Sequence, residues 1–323
     1  MHPPRFRLLV ILCLIWQAAT LAEAQTYPAK PVHYLVPQSP GSGADIIGRI
    51  VARGLAPALG QQVVVDNRAG AAGNIGAEIA AKAPPDGYTL FQASAPHAAN
   101  VSLYSKLPYD LLRDFAPITL LASAPAIVVV HPSLPVKSIP DLVKLAKAKP
   151  GAINYSSAGI GTSTFVAAEL FKSAAGIDLL HVPYRGGGES LTAVISGETS
   201  VYFSPVPTAL PHIRQGRLRG LAVTTAKRLP LIPEYPTVAE GGFPGYENSN
   251  WHGLLVQAKT PKAIIATIHE AALSVLRSPN VSKQLGELGY LPVGSQPEEF
   301  AAYIKADIEK QGKVIKKLGV TAN

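Results

Sequence analysis

The stretch VPQSPGSGADIIGRI, residues 36–50, leaves an apolar strand and enters an apolar helix through small residues that leave the backbone bare. Gly41 and Gly43 uncover amide N–H groups, and a helix starting near Ala44 offers further unpaired donors with a partial positive charge. Such a terminus suits an anion. Asp45, in the first turn of that helix, reads by itself as a partner of the helix dipole. A second turn of the same build is YSSAGIGTST, residues 155–164, where Ser157, Gly159, Gly161, Thr162 and Ser163 precede the helix FVAAELF. Its hydroxyls can cap the helix or donate to a carboxylate. Either turn alone is ordinary turn and cap chemistry; two in one chain can take an anion from both sides.

From residue 32 onward, strand-like runs, short Gly/Ser/Pro turns and helix-period segments alternate, which predicts an α/β chain with mostly parallel strands. VHYLV, VVVDN and YTLFQAS each lead to a helix, the last to NVSLYSKL. A second series starts at AIVVVH and runs through INYSS, LLHVPY and VYFSP to LRGLAVTT. After WHGLLVQ the chain is helical. Two sets of about 100 residues and a helical tail predict two lobes with a cleft between them. The crossings fall near Ala124 and Gly245. One lobe is then 25–124 plus 246–323 and the other 125–245, each a mostly parallel sheet flanked by helices. In such sheets ligands bind at the carboxyl ends of strands, where both turns lie.

Residues 1–24 form a separate unit. Arg5 and Arg7 precede LLVILCLIWQAATL, and Ala22-Glu23-Ala24 offers a small-x-small cleavage site, the pattern of an export signal cut near Ala24. Removing it takes the basic and acidic totals from 29 and 21 to 27 and 20, a net charge of +7. The basic residues are scattered, so a mild attraction for anions is expected and nucleic-acid binding is not. Cys13, the single cysteine, lies inside the leader. The exported chain therefore has no disulfide, no thiolate chemistry and no cysteine-held metal.

Enzyme signatures are absent. GSGADI lacks the third glycine of a dinucleotide fingerprint, and no G-x-S-x-G, P-loop, H-E-x-x-H or EF-hand pattern occurs. His97, His131, His181, His212 and His252 are dispersed without metal-ligand spacing. Neither a cofactor nor a metal is implied.

Several segments together, YPAKPVHYLVP (27–37), GQQVVVDNRAGAAGNIGAE (60–78), AKPGAINYSSAGIGT (148–162), HVPYRG (181–186) and YPTVAEGGFPGYE with WHGLL, resemble the Bug-type, tripartite tricarboxylate transporter receptor family of periplasmic solute-binding proteins. The likeness runs in order along the exported chain. It implies a type II-like, two-lobed, monomeric periplasmic binding protein that closes at crossover strands on a small carboxylate and passes it to integral membrane transporter subunits. In that family the loops matching Gln38, Ser39, Pro40, Gly41, Ser42, Gly43 and Asp45, and Ser157, Ala158, Gly159, Gly161, Thr162 and Ser163, clamp the solute through amides, hydroxyls and waters. Ser94, His97, Tyr184, Arg185 and Ser204 follow strands and are expected to line the cleft. Departures from the family pattern fall at Ser42 (usually glycine), Phe165 (usually histidine) and Ser204 (usually acidic). An acid lost at Ser204 favours a carboxylate without an ammonium group, and Phe165 leaves an aromatic or neutral solute open. A receptor feeding a membrane sensor, or an exported enzyme on the same fold, are the remaining alternatives.

Overall fold

The computed structural model describes residues 27–319 and 321; the leader read over residues 1–24 lies outside them. Three parallel strands, β1 (Val32–Val36), β2 (Val63–Asn67) and β3 (Thr89–Ser94), stand in the order β2-β1-β3. Each feeds a helix: α1 (Gly43–Leu59), α2 (Asn74–Ala81) and α3 (Ala95–Leu103). Helix α3 starts five residues earlier than NVSLYSKL suggests. Pro96 sits in its first turn and Ser94 and His97 form a capping box, so the helix begins directly off the strand.

The strand β4 (Phe115–Val130) is 16 residues long and belongs to two sheets. Up to Pro125 it pairs antiparallel with β9 (Ser249–Gln257), which borders β3. From Ala126 it pairs with β7 (Val201–Pro205) and, one residue on, with β8 (Arg219–Val223). Pro125 marks the change of sheet within a continuous strand. β5 (Asn154–Ser157) and β6 (Leu180–Pro183) extend the second sheet in parallel beyond β7. Helices α4 (Ile139–Ala148), α5 (Ser163–Ala175), α6 (Gly187–Ser196) and α7 (Val206–Arg214) follow β4, β5, β6 and β7 in turn. The fold is thus a two-lobed α/β architecture. The parallel strands form a three-stranded core in each half, and the strands joining the halves run antiparallel.

Each sheet is buried on both faces. On the first, Tyr34, Ile47, Leu55 and Leu254 pack on one side and Phe91, Trp251 and Phe300 on the other. On the second, Tyr155, Phe171 and Phe203 oppose Tyr202, Val129 and Leu210. Every such side chain contributes about 1.5–3 kcal/mol by leaving water, which holds rigid the strand ends that carry the turns. Beyond β9 come α8 (Lys262–Arg277), α9 (Pro279–Glu287), the short β10 (Leu291–Pro292) against β4, and α10 (Pro297–Leu318). Helix α10 returns to the first sheet, where Trp251 Nε1 donates to Asp307 Oδ2 at 2.8 Å. Phe300 lies so close to Gly253 that a Cβ there would sit 1.9 Å from its Cζ.

Candidate functional site

The first turn is built by its own side chains. Ser42 is the N-cap of α1 and accepts from the Asp45 amide at 3.2 Å, while Gly41 takes a left-handed φ of +80° that glycine adopts without strain. Asp45 is 3% exposed and fully engaged: it accepts from Gly41 N–H (2.8 Å), Arg49 Nε (3.0 Å) and Asn67 Nδ2 (2.9 Å). Burial alone would push its carboxyl pKa up. The hydrogen bonds from Arg49, Gly41 and Asn67 outweigh burial and hold it below the usual carboxylate value. Asp45 thus braces the turn from behind. The amides of Gly43 and Ala44 have no acceptor among the described residues.

The second turn repeats this construction on α5. Thr162 is the N-cap, accepting from Phe165 N–H at 3.4 Å and donating to Gly159 O at 2.6 Å. Thr164 Oγ1 accepts from Ala158 N–H, and Ser157 Oγ accepts from Gly159 N–H. Gly159 and Gly161 both hold positive φ, +113° and +81°. The amides of Ile160 and Gly161 are left without an acceptor among the described residues. Ser157 is itself fully buried, and its hydroxyl lies 2.7 Å from His181 Nε2.

The two turns face one another. A cleft of about 510 Å³ opens between Gln38, Ser39 and Ser42 on one wall and Ile160, Gly161 and Thr162 on the other. The loop 69–73, α3 through Asn100, and Tyr104 just past its end close its sides. The second turn touches the first half directly: a Cβ on Gly161 would lie 3.1 Å from Leu103 Cδ1. Ser163 lines a smaller cavity of about 190 Å³ on the other side of the turns, beside Ala124 and Ala126 of β4. Pro40, Gly41 and Gly43 are exposed and line neither cavity.

Ser94, His97, Ser204, Tyr184 and Arg185, all expected to line the cleft, line neither cavity. Ser94 and His97 are each 1% exposed beneath the start of α3, where His97 Nδ1 accepts from Ser94 N–H at 3.1 Å. Burial lowers the His97 pKa to about 4, so the ring is neutral. Ser204 is fully buried in β7, its hydroxyl donating to Pro205 O. Position after a strand does not fix which way a side chain points. Tyr184 turns its hydroxyl to Glu198, and Arg185 is exposed with its amide on Glu189. Phe165 packs in the second core against His181, ring centroids 4.9 Å apart, so it presents no aromatic surface to a solute. Asn248 and Tyr290, which line the smaller cavity, carried no local sign in the sequence. Among the described residues no group of three His, Cys, Asp or Glu side chains is placed to hold a metal ion, and no helix is long and apolar enough to cross a membrane.

The profile of the "Tripartite tricarboxylate transporter family receptor" matches residues 47–320. The chain belongs to this family. As a tripartite tricarboxylate transporter receptor it is 33% identical to Protein BugT of Bordetella pertussis over 318 residues, covering 97% of this chain and 98% of that one. Two solved structures share its fold. Rpa4515 of R. palustris, determined with adipate, has a TM-score of 0.74 at 34% identity and covers 91% of this chain and 99% of its own. MatC of Rhodopseudomonas palustris, determined with bound malate, has a TM-score of 0.71 at 28% identity, covering 90% and 100%. The receptor family is a solute-binding one, which fits a cleft lined by amides and hydroxyls.

Proposed function

We propose that the chain is a periplasmic receptor that captures a small organic acid between its two turns and performs no chemistry on it. The observation that carries this reading is the pair of capped helix termini facing one another across the 510 Å³ cleft, with the Gly43, Ala44, Ile160 and Gly161 amides unpaired. Unpaired amides at helix N-termini favour an anion and reject a cation. Adipate and malate in the related receptors support a carboxylate.

The lobes in this reading are 27–124 with 246–319, and 125–245, hinged where β4 passes from Pro125 to Ala126 and where Asn248 leads into β9. Closure presents a loaded form to the membrane subunits of a tripartite transporter. Export by the leader, with cleavage near Ala24, places the mature chain in the periplasm as a monomer. Delivery to a membrane sensor is the alternative destination for the same loaded form, distinguished by which membrane protein co-purifies with it.

The test is thermal unfolding of residues 25–323, refolded from denaturant, against mono-, di- and tricarboxylates, aromatic acids, amino acids and neutral sugars. A ligand at about 100 times its Kd adds about 2.7 kcal/mol of stability. A shift confined to carboxylates supports the reading; a shift only with sugars or amines overturns it.

A further inference from the structure

The smaller cavity, about 190 Å³, sits between the turns and the hinge. Its polar lining consists of Ser163, Thr164, Thr208, Asn248, Asn250 and Tyr290, and no Lys, Arg, His, Asp or Glu lines it. Three polar atoms in and around it are unpaired. Asn250 Oδ1 is buried with no hydrogen-bond partner. His252, two residues along the same face of β9 and 2% exposed, has Nε2 unpaired. The Tyr290 hydroxyl has no partner among the described residues and lies 3.0 Å from where a Cβ on Gly43 would be, at the start of α1.

Tyr290 is held there from two directions. Its ring meets His252 edge-on, with centroids 5.5 Å apart. The preceding Gly289, at φ +76°, lies against Pro207 of α7 so closely that a Cβ would fall 1.4 Å from Pro207 Cγ. A first-half segment thus reaches across to the second half and closes the cavity with Tyr290. Buried polar groups without partners are costly, about 1–3 kcal/mol each, and sites that leave them so are sites where another molecule supplies the bond. Burial raises the Tyr290 pKa, which keeps the phenol a donor across the physiological range.

We infer that this cavity takes the far end of the solute, and that Tyr290 and Asn250 recognise there an uncharged hydroxyl group. The inference rests on the receptor reading above and narrows its substrate class to hydroxy acids. A hydroxyl both donates and accepts, which matches an unpaired carboxamide oxygen beside an unpaired phenol. An ionised carboxylate has no proton to give the Asn250 carboxamide oxygen and would leave it unpaired.

The experiment is calorimetric titration of wild type and Tyr290→Phe with matched pairs of probes, 4-hydroxybutanoate against butanoate and 5-hydroxypentanoate against pentanoate. Phe keeps the ring and its His252 contact and removes only the hydroxyl. Wild type is expected to prefer a hydroxy acid over its partner at least tenfold, because a site built around a hydroxyl leaves its own groups unpaired when the hydroxyl is missing. Tyr290→Phe is expected to shrink that preference roughly tenfold while the ligand-free unfolding midpoint stays put. Gly289→Ala, which pushes Tyr290 out of register, is expected to lower the same preference. An unchanged preference in Tyr290→Phe, or wild type binding acids with no preference for the hydroxyl, overturns the inference and leaves the receptor reading standing. If wild type binds no acid of any class, the receptor reading fails and this inference with it.

Discussion

Ser42 and Thr162 do the same job in two different helices: each is an N-cap whose hydroxyl accepts from the amide three residues on, Asp45 at 3.2 Å and Phe165 at 3.4 Å. Each cap also ends a strand-to-helix turn that leaves amides without an acceptor among the described residues. Replacing either by Ala is expected to cost about 1 kcal/mol of stability in denaturant titration. The double variant should lose about the sum, because the caps share no contact. A loss much larger than the sum would mean that the two turns are coupled without ligand.

Gly161 holds φ +81° with Leu103 Cδ1 3.1 Å from its missing Cβ. Gly161→Val therefore strains the backbone by about 1–2 kcal/mol and pushes the turn off α3. Carboxylate affinity, measured by titration on folded protein, is expected to fall at least tenfold. Unaltered affinity would place the anion somewhere other than between the turns.

Acid should unfold the protein through its buried histidines. Burial lowers the pKa of His97 to about 4, and burial together with the neighbouring His97 lowers that of His252 to about 3, against an ordinary 6.5. The unfolded chain takes up these protons near pH 6.5 and the folded chain does not. Their contribution is therefore complete above pH 6.5 and lost as pH falls towards 4 and 3, with a slope of up to about 1.4 kcal/mol per pH unit for each ring. His252→Gln should flatten the acid limb of the stability profile by about one proton. A slope identical to wild type would show that His252 titrates normally.

Packing of the tail can be tested without touching the turns. A methyl on Gly253 meets Phe300 at 1.9 Å, inside the layer that joins α10 to β9. Gly253→Ala is expected to lower stability by about 1–3 kcal/mol in denaturant titration, and Gly253→Ala with Phe300→Leu to recover part of it. No recovery would mean that the two residues do not share that space.

The parts of this fold that are local were legible in the sequence. Glycine and hydroxyl residues between an apolar run and a helix mark Gly41–Gly43 and Gly159–Thr162, because the turn itself demands them. What depended on distant pairing was not. β4 continues through Pro125 because β9 and β7, both distant in sequence, take up its two halves. Ser94, His97 and Ser204 read as residues just past strands, but Ser94 ends β3, Ser204 lies within β7, and all three are buried. Asn248 and Tyr290 come together at the smaller cavity from places far apart in sequence, so no spacing rule could find them.

The most direct measurement is a structure of the mature protein with a bound carboxylate. The expected result places the carboxylate oxygens within hydrogen-bond reach, directly or through one water, of amides from both turns: Gly43 or Ala44 on one side and Ile160 or Gly161 on the other. A carboxylate held by one turn alone, or bound outside the cleft, would contradict the account.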